Sequence, residues 1–203
     1  MNNSTHYSQK FVCVRQRIFL GNINYFIDTF QLKDIFINKI LNYMFDVNYI
    51  REKMTWDEYS GMTFSEHEQI GRIIYSSITP EPHEFTKGQF ARYDASATAG
   101  TVTSNAEIKY RHILREKWDK LGYWLEKTKY DALMNAYIET GSIPLFYTFL
   151  REGVGYYWDL RKLNPIWKWE KATATTADGQ YGKIKVWKEV CHPMPYEGYE
   201  LKW

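Results

Sequence analysis

The stretch RYDASATAGTVTSNAEIKYR, residues 92–111, restricts the fold more than any other feature of this chain. Ala91, Tyr93, Ala95 and Ala97 interleave with Phe90, Arg92, Asp94 and Ser96 before a small-residue turn; Glu107, Lys109 and Arg111 interleave with Ile108 and Tyr110 after it. A period of two marks a half-buried strand, so the stretch predicts an antiparallel hairpin. A turn centred between Gly100 and Thr101 sets Asp94 opposite Glu107 and Arg92 opposite Lys109. Directly opposite side chains share a face, with Cβ atoms about 4.5–5.5 Å apart. A slip of one residue would send Asp94 to the other face.

The flanking segments read as helices and further strands. TFSEHEQIGRIIYSSI opens on two overlapping capping signatures, Thr63 with Glu66 and Ser65 with Glu68, and continues with Ile70, Ile73, Ile74 and Ile78 at helical spacing. Projected on a helix, Glu66 and His67 fall on the isoleucine side and Glu68 points away. TPEPHEFTKG reads as a loop. WLEKTKYDALMNAYIETG predicts a second helix from Leu125, Tyr130, Leu133, Met134 and Tyr137, stopped by Gly141. SIPLFYTFL and YYWDLRKL, joined by the turn REGVG, predict two buried central strands, and Asp178-Gly179 predicts a C-terminal hairpin.

At the N-terminal end, Phe11 to Phe26 suggests a strand pair around Gly21-Asn22. The segment FQLKDIFINKILNYMFDVNYIREKM suggests a long amphipathic helix through Leu32, Ile35, Phe36, Ile40 and Met44. The order helix, strand, strand, helix, strand, strand, with additions at both ends, gives an α/β (α+β) class: one mixed sheet flanked by helices. A length of 203 residues suits one domain. Residues 1–60 form an extension to it, and residues 61–203 hold the core and the hairpin.

Composition narrows the function classes. Hydrophobic residues at 44% and aromatics at 18% specify a globular chain, and a formal charge of +2 sets up no whole-molecule field toward nucleic acid or membrane. Cys13 and Cys191 have neither zinc-ligand nor disulfide-framework spacing. No run reaches the roughly 18 apolar residues of a membrane helix, and no signal peptide is evident; a soluble protein of a reducing cytoplasm is expected. No phosphate-binding glycine loop occurs, so no nucleotide cofactor is expected.

The hairpin carries the chemistry. Two carboxylates as close as Asp94 and Glu107 repel unless a cation lies between them, and Mg²⁺ suits one or two carboxylates plus water. Lys109, on the same face, would reach that water and orient it or help to deprotonate it for attack on a phosphodiester. The competing reading is an ordinary solvated hairpin, since Glu-x-Lys is common.

The context resembles the PD-(D/E)XK nuclease superfamily: a helix bearing a glutamate, a strand ending in Asp94, a turn, a strand carrying Glu107 and Lys109, then a helix and more strands, over about Thr63 to Leu163. Tyr93 stands where the motif has proline. The resemblance implies a restriction-endonuclease-like fold and a Mg²⁺-dependent DNA endonuclease, with Mn²⁺ as a substitute metal. In it Asp94 and Glu107 hold the metal, Lys109 positions the water, and Glu66 supports a metal-bound water or a second metal. It also makes Lys127 and Lys129 of the second helix candidate phosphate contacts. Arg111 and Arg115 join them in a basic segment, seven cations against three acids between Lys109 and Lys129, that would attract double-stranded or branched DNA.

A homodimer would favour paired cuts, as restriction or Holliday-junction-resolving enzymes make. The rivals are a nucleic-acid-binding or virion-associated structural protein with this fold and no turnover, and a plain protein-interaction domain. His67 reads as a core-edge histidine. Trp167, Trp169 and Trp187 either stack on unpaired bases or, as favoured here, pack a sheet against its neighbour.

Overall fold

A computed structural model of the chain describes residues 46–87, 91–120, 122–175 and 181–203. The strand pair predicted at Phe11–Phe26, the periodic helix positions up to Met44, Cys13 and the turn at Asp178-Gly179 lie outside the described residues.

Three helices come first: α1 (Val47–Glu52), α2 (Trp56–Gly61) and α3 (Phe64–Ile78). Asp46 has an extended backbone and its side chain accepts the Tyr49 N–H, so α1 begins at an N-cap rather than running on from the preceding periodic segment. Thr63 caps α3 in the same way, reciprocally with Glu66. There follow β1 (His83–Phe85), β2 (Ala95–Ala99), β3 (Val102–Arg111), α4 (Arg115–Asp119), β4 (Leu125–Glu126) and α5 (Lys127–Thr140). Gly141 ends α5 in the left-handed conformation, φ 75°, where a Cβ would be strained. The chain closes with β5 (Ile143–Leu150), β6 (Val154–Asp159), β7 (Lys168–Thr175), β8 (Tyr181–Cys191), a 3₁₀ turn (Pro195–Glu197) and β9 (Tyr199–Lys202).

The predicted order of α3, β2, β3, α5, β5 and β6 is present within a six-stranded mixed sheet, β1-β2-β3-β5-β6-β9. Only β3 and β5 run parallel, which the intervening crossover through α5 requires. The stretch taken as a loop contributes β1, a three-residue edge strand paired to β2. The C-terminal hairpin β7–β8 leaves the main sheet and pairs with β4 in a second, three-stranded sheet.

Alternation on β3 and β5 divides the core between two faces. Ile108, Tyr110 and Phe149 pack with Ile70, Ile74 and Tyr75 of α3 and with Ile50 of α1. Phe146 and Leu150 pack with Leu133 of α5 and with Tyr156 and Trp158 of β6. Glu107 and Lys109 therefore belong to the α5 side of β3. Where α3 packs on the sheet, a Cβ on Gly71 would lie 3.0 Å from Ile108 Cγ2, so a larger residue there would have to displace that isoleucine slightly.

Candidate metal site

The hairpin has the predicted register. Ala95 faces Ala106 and Ala99 faces Val102, a ladder whose next step is Asp94 with Glu107. The regular strand, however, begins at Ala95 rather than near Phe90. Arg92 accordingly does not face Lys109; its guanidinium pairs with Glu139 of α5 at 2.8 Å.

At the point of departure the chain is clamped. The Thr86 N–H donates to the Asp94 carbonyl at 3.0 Å and the Thr86 hydroxyl donates to the Tyr93 carbonyl, while the Asp94 N–H donates to Ala106 O at 2.8 Å. The Asp94 side chain then accepts the Ile108 N–H at Oδ2, 2.8 Å away. A carboxylate thus occupies a place in the ladder that the departing backbone has vacated.

Glu107 is 0% exposed, and two ammoniums approach it from different elements. Lys109 Nζ lies 2.5 Å from Oε1 and Lys129 Nζ lies 3.1 Å from Oε2. Neither approach has hydrogen-bond angles, so these are charge contacts, and both buried carboxylate oxygens lack a hydrogen bond. Lys129 also reaches the Ala91 carbonyl at 3.4 Å.

The electrostatics follow from this packing. Burial raises the Asp94 pKa, and the Glu107 charge raises it further, against the opposing pull of Lys109 and Lys129. Burial works against ionisation of Glu107 too, but the two lysines outweigh it and hold its pKa below the ordinary value. For Lys109, burial alone would lower the pKa; Glu107 and Asp94 overcome that and raise it, so this lysine stays protonated.

Of the two α3 glutamates, it is Glu68 rather than Glu66 whose electrostatics couple to Asp94 and Glu107. Glu66 Oε2 accepts both the Thr63 N–H, at 2.6 Å, and the Thr63 hydroxyl, at 2.8 Å, which commits it to the capping box. Glu68 is half-buried; burial raises its pKa, and it senses Asp94, Lys109, Arg72 and Glu107. The face of α3 against β3 is centred on Gly71 and Tyr75 as much as on the isoleucines. Glu68 lies three residues before Gly71, on the same side. Counting only isoleucines tilted the projected face toward Glu66, and the packing glycine was the overlooked signal.

The remaining candidates divide. Lys129 enters the site, whereas Lys127 pairs with Asp131 at 2.6 Å and lies 5.7 Å from the Trp167 ring centroid. Arg115 is consumed by Asp119 and Glu200, each at 2.8 Å. Arg111 continues the Glu107–Lys109 face of β3 and is half-buried, with no ion pair among the described residues. The segment that reads as strongly basic is thus largely neutralised locally, Lys120 also being paired with Glu116 at 3.2 Å. His67 Nε2 lies 2.7 Å from the Tyr59 carbonyl and its ring stacks on Tyr59, in keeping with a core-edge role.

A cation fits these donors. Among the described residues no three His, Cys, Asp or Glu side chains converge as a full ligand set. Mg²⁺ is commonly held by one or two carboxylates with water completing the shell, and Asp94 with the hydrogen-bond-free oxygens of Glu107 supplies that pair.

No helix among the described residues is long and apolar enough to cross a membrane. No protein-family model and no curated protein matches the chain. Among solved structures it is similar to Hjc, a Holliday junction resolvase from the archaeal hyperthermophile Archaeoglobus fulgidus, at 13% identity and a TM-score of 0.44, over 67% of this chain and 92% of that one.

Proposed function

We propose that the chain is a Mg²⁺-dependent nuclease that hydrolyses phosphodiester bonds in DNA, with Asp94 and Glu107 as the residues that hold the metal. The observation behind this reading is Glu107: a wholly buried, ionised carboxylate beside the buried Asp94, whose pKa it raises, with an ammonium at each of its own oxygens. Two buried carboxylates so placed repel each other unless positive charge gathers around them. When bound, Mg²⁺ supplies Lewis-acid stabilisation of the negative charge that builds up on phosphate.

The protein's own groups do the rest. Asp94 is held by Ile108 and Thr86 and needs no rearrangement to serve as a ligand. Lys109, kept protonated, donates to an attacking water or a phosphate oxygen and balances charge in the transition state. It is not the proton acceptor while Glu107 and Asp94 hold its pKa up. Lys129 keeps the second oxygen of Glu107 in place from α5. Glu68, the half-buried carboxylate of α3, is assigned the supporting role toward water that the resemblance had placed on Glu66.

The same lysines favour a second reading, a DNA-binding protein of this fold without turnover. Two ammoniums already neutralise the two carboxylates, so the site is electrically complete without a metal. One set of assays decides between the two. Supercoiled plasmid, linear duplex, four-way junction and single strands are incubated with Mg²⁺, with Mn²⁺ or with EDTA, and metal binding is followed by calorimetry. A nuclease cuts at least one substrate in a metal-dependent way, and Asp94→Ala and Lys109→Ala abolish cutting while remaining folded. Unchanged cutting by those folded variants removes the site assignment; absence of both metal binding and cutting leaves the second reading.

A further inference from the structure

The hairpin β7–β8 carries an exposed aromatic face that the metal site does not use. Trp169 is paired across the strands with Glu189, and Lys171 with Trp187, so these four side chains lie on one face. Trp169 is 63% exposed and Trp187 60% exposed, contrary to the packing role expected of them. Lys185, two residues before Trp187 on the same strand, is also exposed on this face.

The opposite face does the packing. Val190 is buried there, Glu170 meets His192 at 3.2 Å, and Lys188 meets Glu126 at 2.7 Å. Trp167, which precedes β7, packs against Tyr130 of α5 at 5.3 Å between centroids. The exposure of Trp169 and Trp187 is therefore not the by-product of a hairpin without a core of its own.

From this geometry we infer that the Trp169–Lys171–Trp187–Lys185 face binds single-stranded nucleic acid, by stacking unpaired bases on the two indoles and pairing the lysines with backbone phosphates. The two tryptophans are diagonal neighbours about 7–8 Å apart on the same face of the hairpin, so both indoles are within reach of the bases of one strand. Lys171 Nζ lies 5.4 Å from the Trp187 ring centroid, so a cation accompanies one indole already. The charges of the face, Lys171 and Lys185 against Glu189, favour a polyanion over a second copy of the same face, which would set like charges together. Duplex DNA keeps its bases stacked internally and can offer this face only phosphates. The sheet is joined through β4 to the first turn of α5, which carries Lys129, so a strand held here stays tethered to the element that reaches Glu107.

The test is binding in EDTA, where no cutting can occur. Oligothymidylate, oligouridylate and a duplex are titrated against the full chain, followed by tryptophan fluorescence and by anisotropy of a labelled strand. Single strands of either sugar are expected to quench the fluorescence and to bind more tightly than the duplex. Trp169→Ala with Trp187→Ala is expected to weaken single-strand binding about tenfold or more, and Trp169→Phe with Trp187→Phe to retain most of it, each with the parent's circular dichroism and melting temperature. Equal affinity in the parent and the alanine pair would overturn the inference. So would a parent that binds no single strand but forms a dimer that the alanine pair dissolves. A Lys109→Ala protein run in parallel separates the two claims: loss of cutting with retained single-strand binding, or the reverse, identifies which has failed.

Discussion

Lys129 on α5 meets Glu107 on β3 at 3.1 Å, on the side of the carboxylate opposite Lys109. A buried anion is thus shared by two cations that form no other ion pair among the described residues. Replacing Glu107 with Gln leaves two ammoniums facing each other, and breaking a buried ion pair in this way costs about 3–5 kcal/mol when the charges are fully buried. Both lysines retain some solvent access, so a loss of roughly 2–3 kcal/mol is expected, read as a drop in the urea midpoint at constant slope. An unchanged midpoint would show that the lysines are not held by Glu107.

Asp94 is predicted to behave in the opposite way. Its pKa is raised by burial and by Glu107, so its ionised form at neutral pH is less favourable in the folded chain than in the unfolded one. Asp94→Asn keeps an oxygen for the Ile108 N–H and removes the charge. The variant should melt at the same temperature as the parent or a few degrees higher, yet lose metal-dependent cutting. Mg²⁺ should raise the parent's melting temperature by mass action and leave that of Asp94→Asn unmoved.

Glu66 and Glu68 should separate stability from activity. Glu66→Ala removes half of a capping box and is expected to cost about 1 kcal/mol with little change in cutting rate. Glu68→Gln removes a carboxylate that senses Asp94 and Lys109, and should lower the rate while leaving the fold intact or more stable. The reverse outcome would restore Glu66 to the site.

Acid should destabilise the chain through His112. Burial, with help from Arg151, lowers its pKa from 6.5 to about 4, and the ring sits against Tyr59 and accepts or donates at the Tyr110 hydroxyl, 2.9 Å away. Between those values the unfolded chain binds the proton and the folded chain does not, so stability falls as pH is lowered through that window. At about 1.4 kcal/mol per unit, and with the ring buried, the loss is on the order of 3 kcal/mol. His112→Phe keeps the ring contacts and should flatten the dependence of the urea midpoint on pH; an equally steep profile would assign the loss to other groups, His67 first.

Much of this fold could be read in the sequence because its signals are local. Alternation and a small-residue turn specified the β2–β3 register, and Gly141 marked the end of α5. What escaped depends on tertiary contacts. β1 joining the sheet edge and the strand breaking off at Asp94 are both decided by partners distant in sequence; the Asp46 cap of α1, made with the Tyr49 N–H, is by contrast a local signal that the apolar periodicity overrode. Glu66, set toward the site by a helix face drawn from the isoleucines, is engaged in the α3 capping box, and the packing glycine Gly71 shares its side of the helix with Glu68. The basic segment is neutralised mostly by acids within or beside it, Asp119 for Arg115, Glu116 for Lys120 and Asp131 for Lys127, with Glu200 joining Arg115 from far along the chain. Trp169 and Trp187 were expected inside because aromatic alternation usually means packing, yet their hairpin buries its other face.

The hydrogen bond from Ile108 to Asp94 has a kinetic and entropic side. A surface aspartate samples several rotamers and must give up that freedom when it takes a ligand, but this one has surrendered it already during folding. The carboxylate takes its orientation just past the end of the β2–β3 ladder, on the next free N–H of β3. Folding therefore orders this carboxylate, and on the proposed reading a cation arriving later would meet an oxygen donor that no longer has to be ordered.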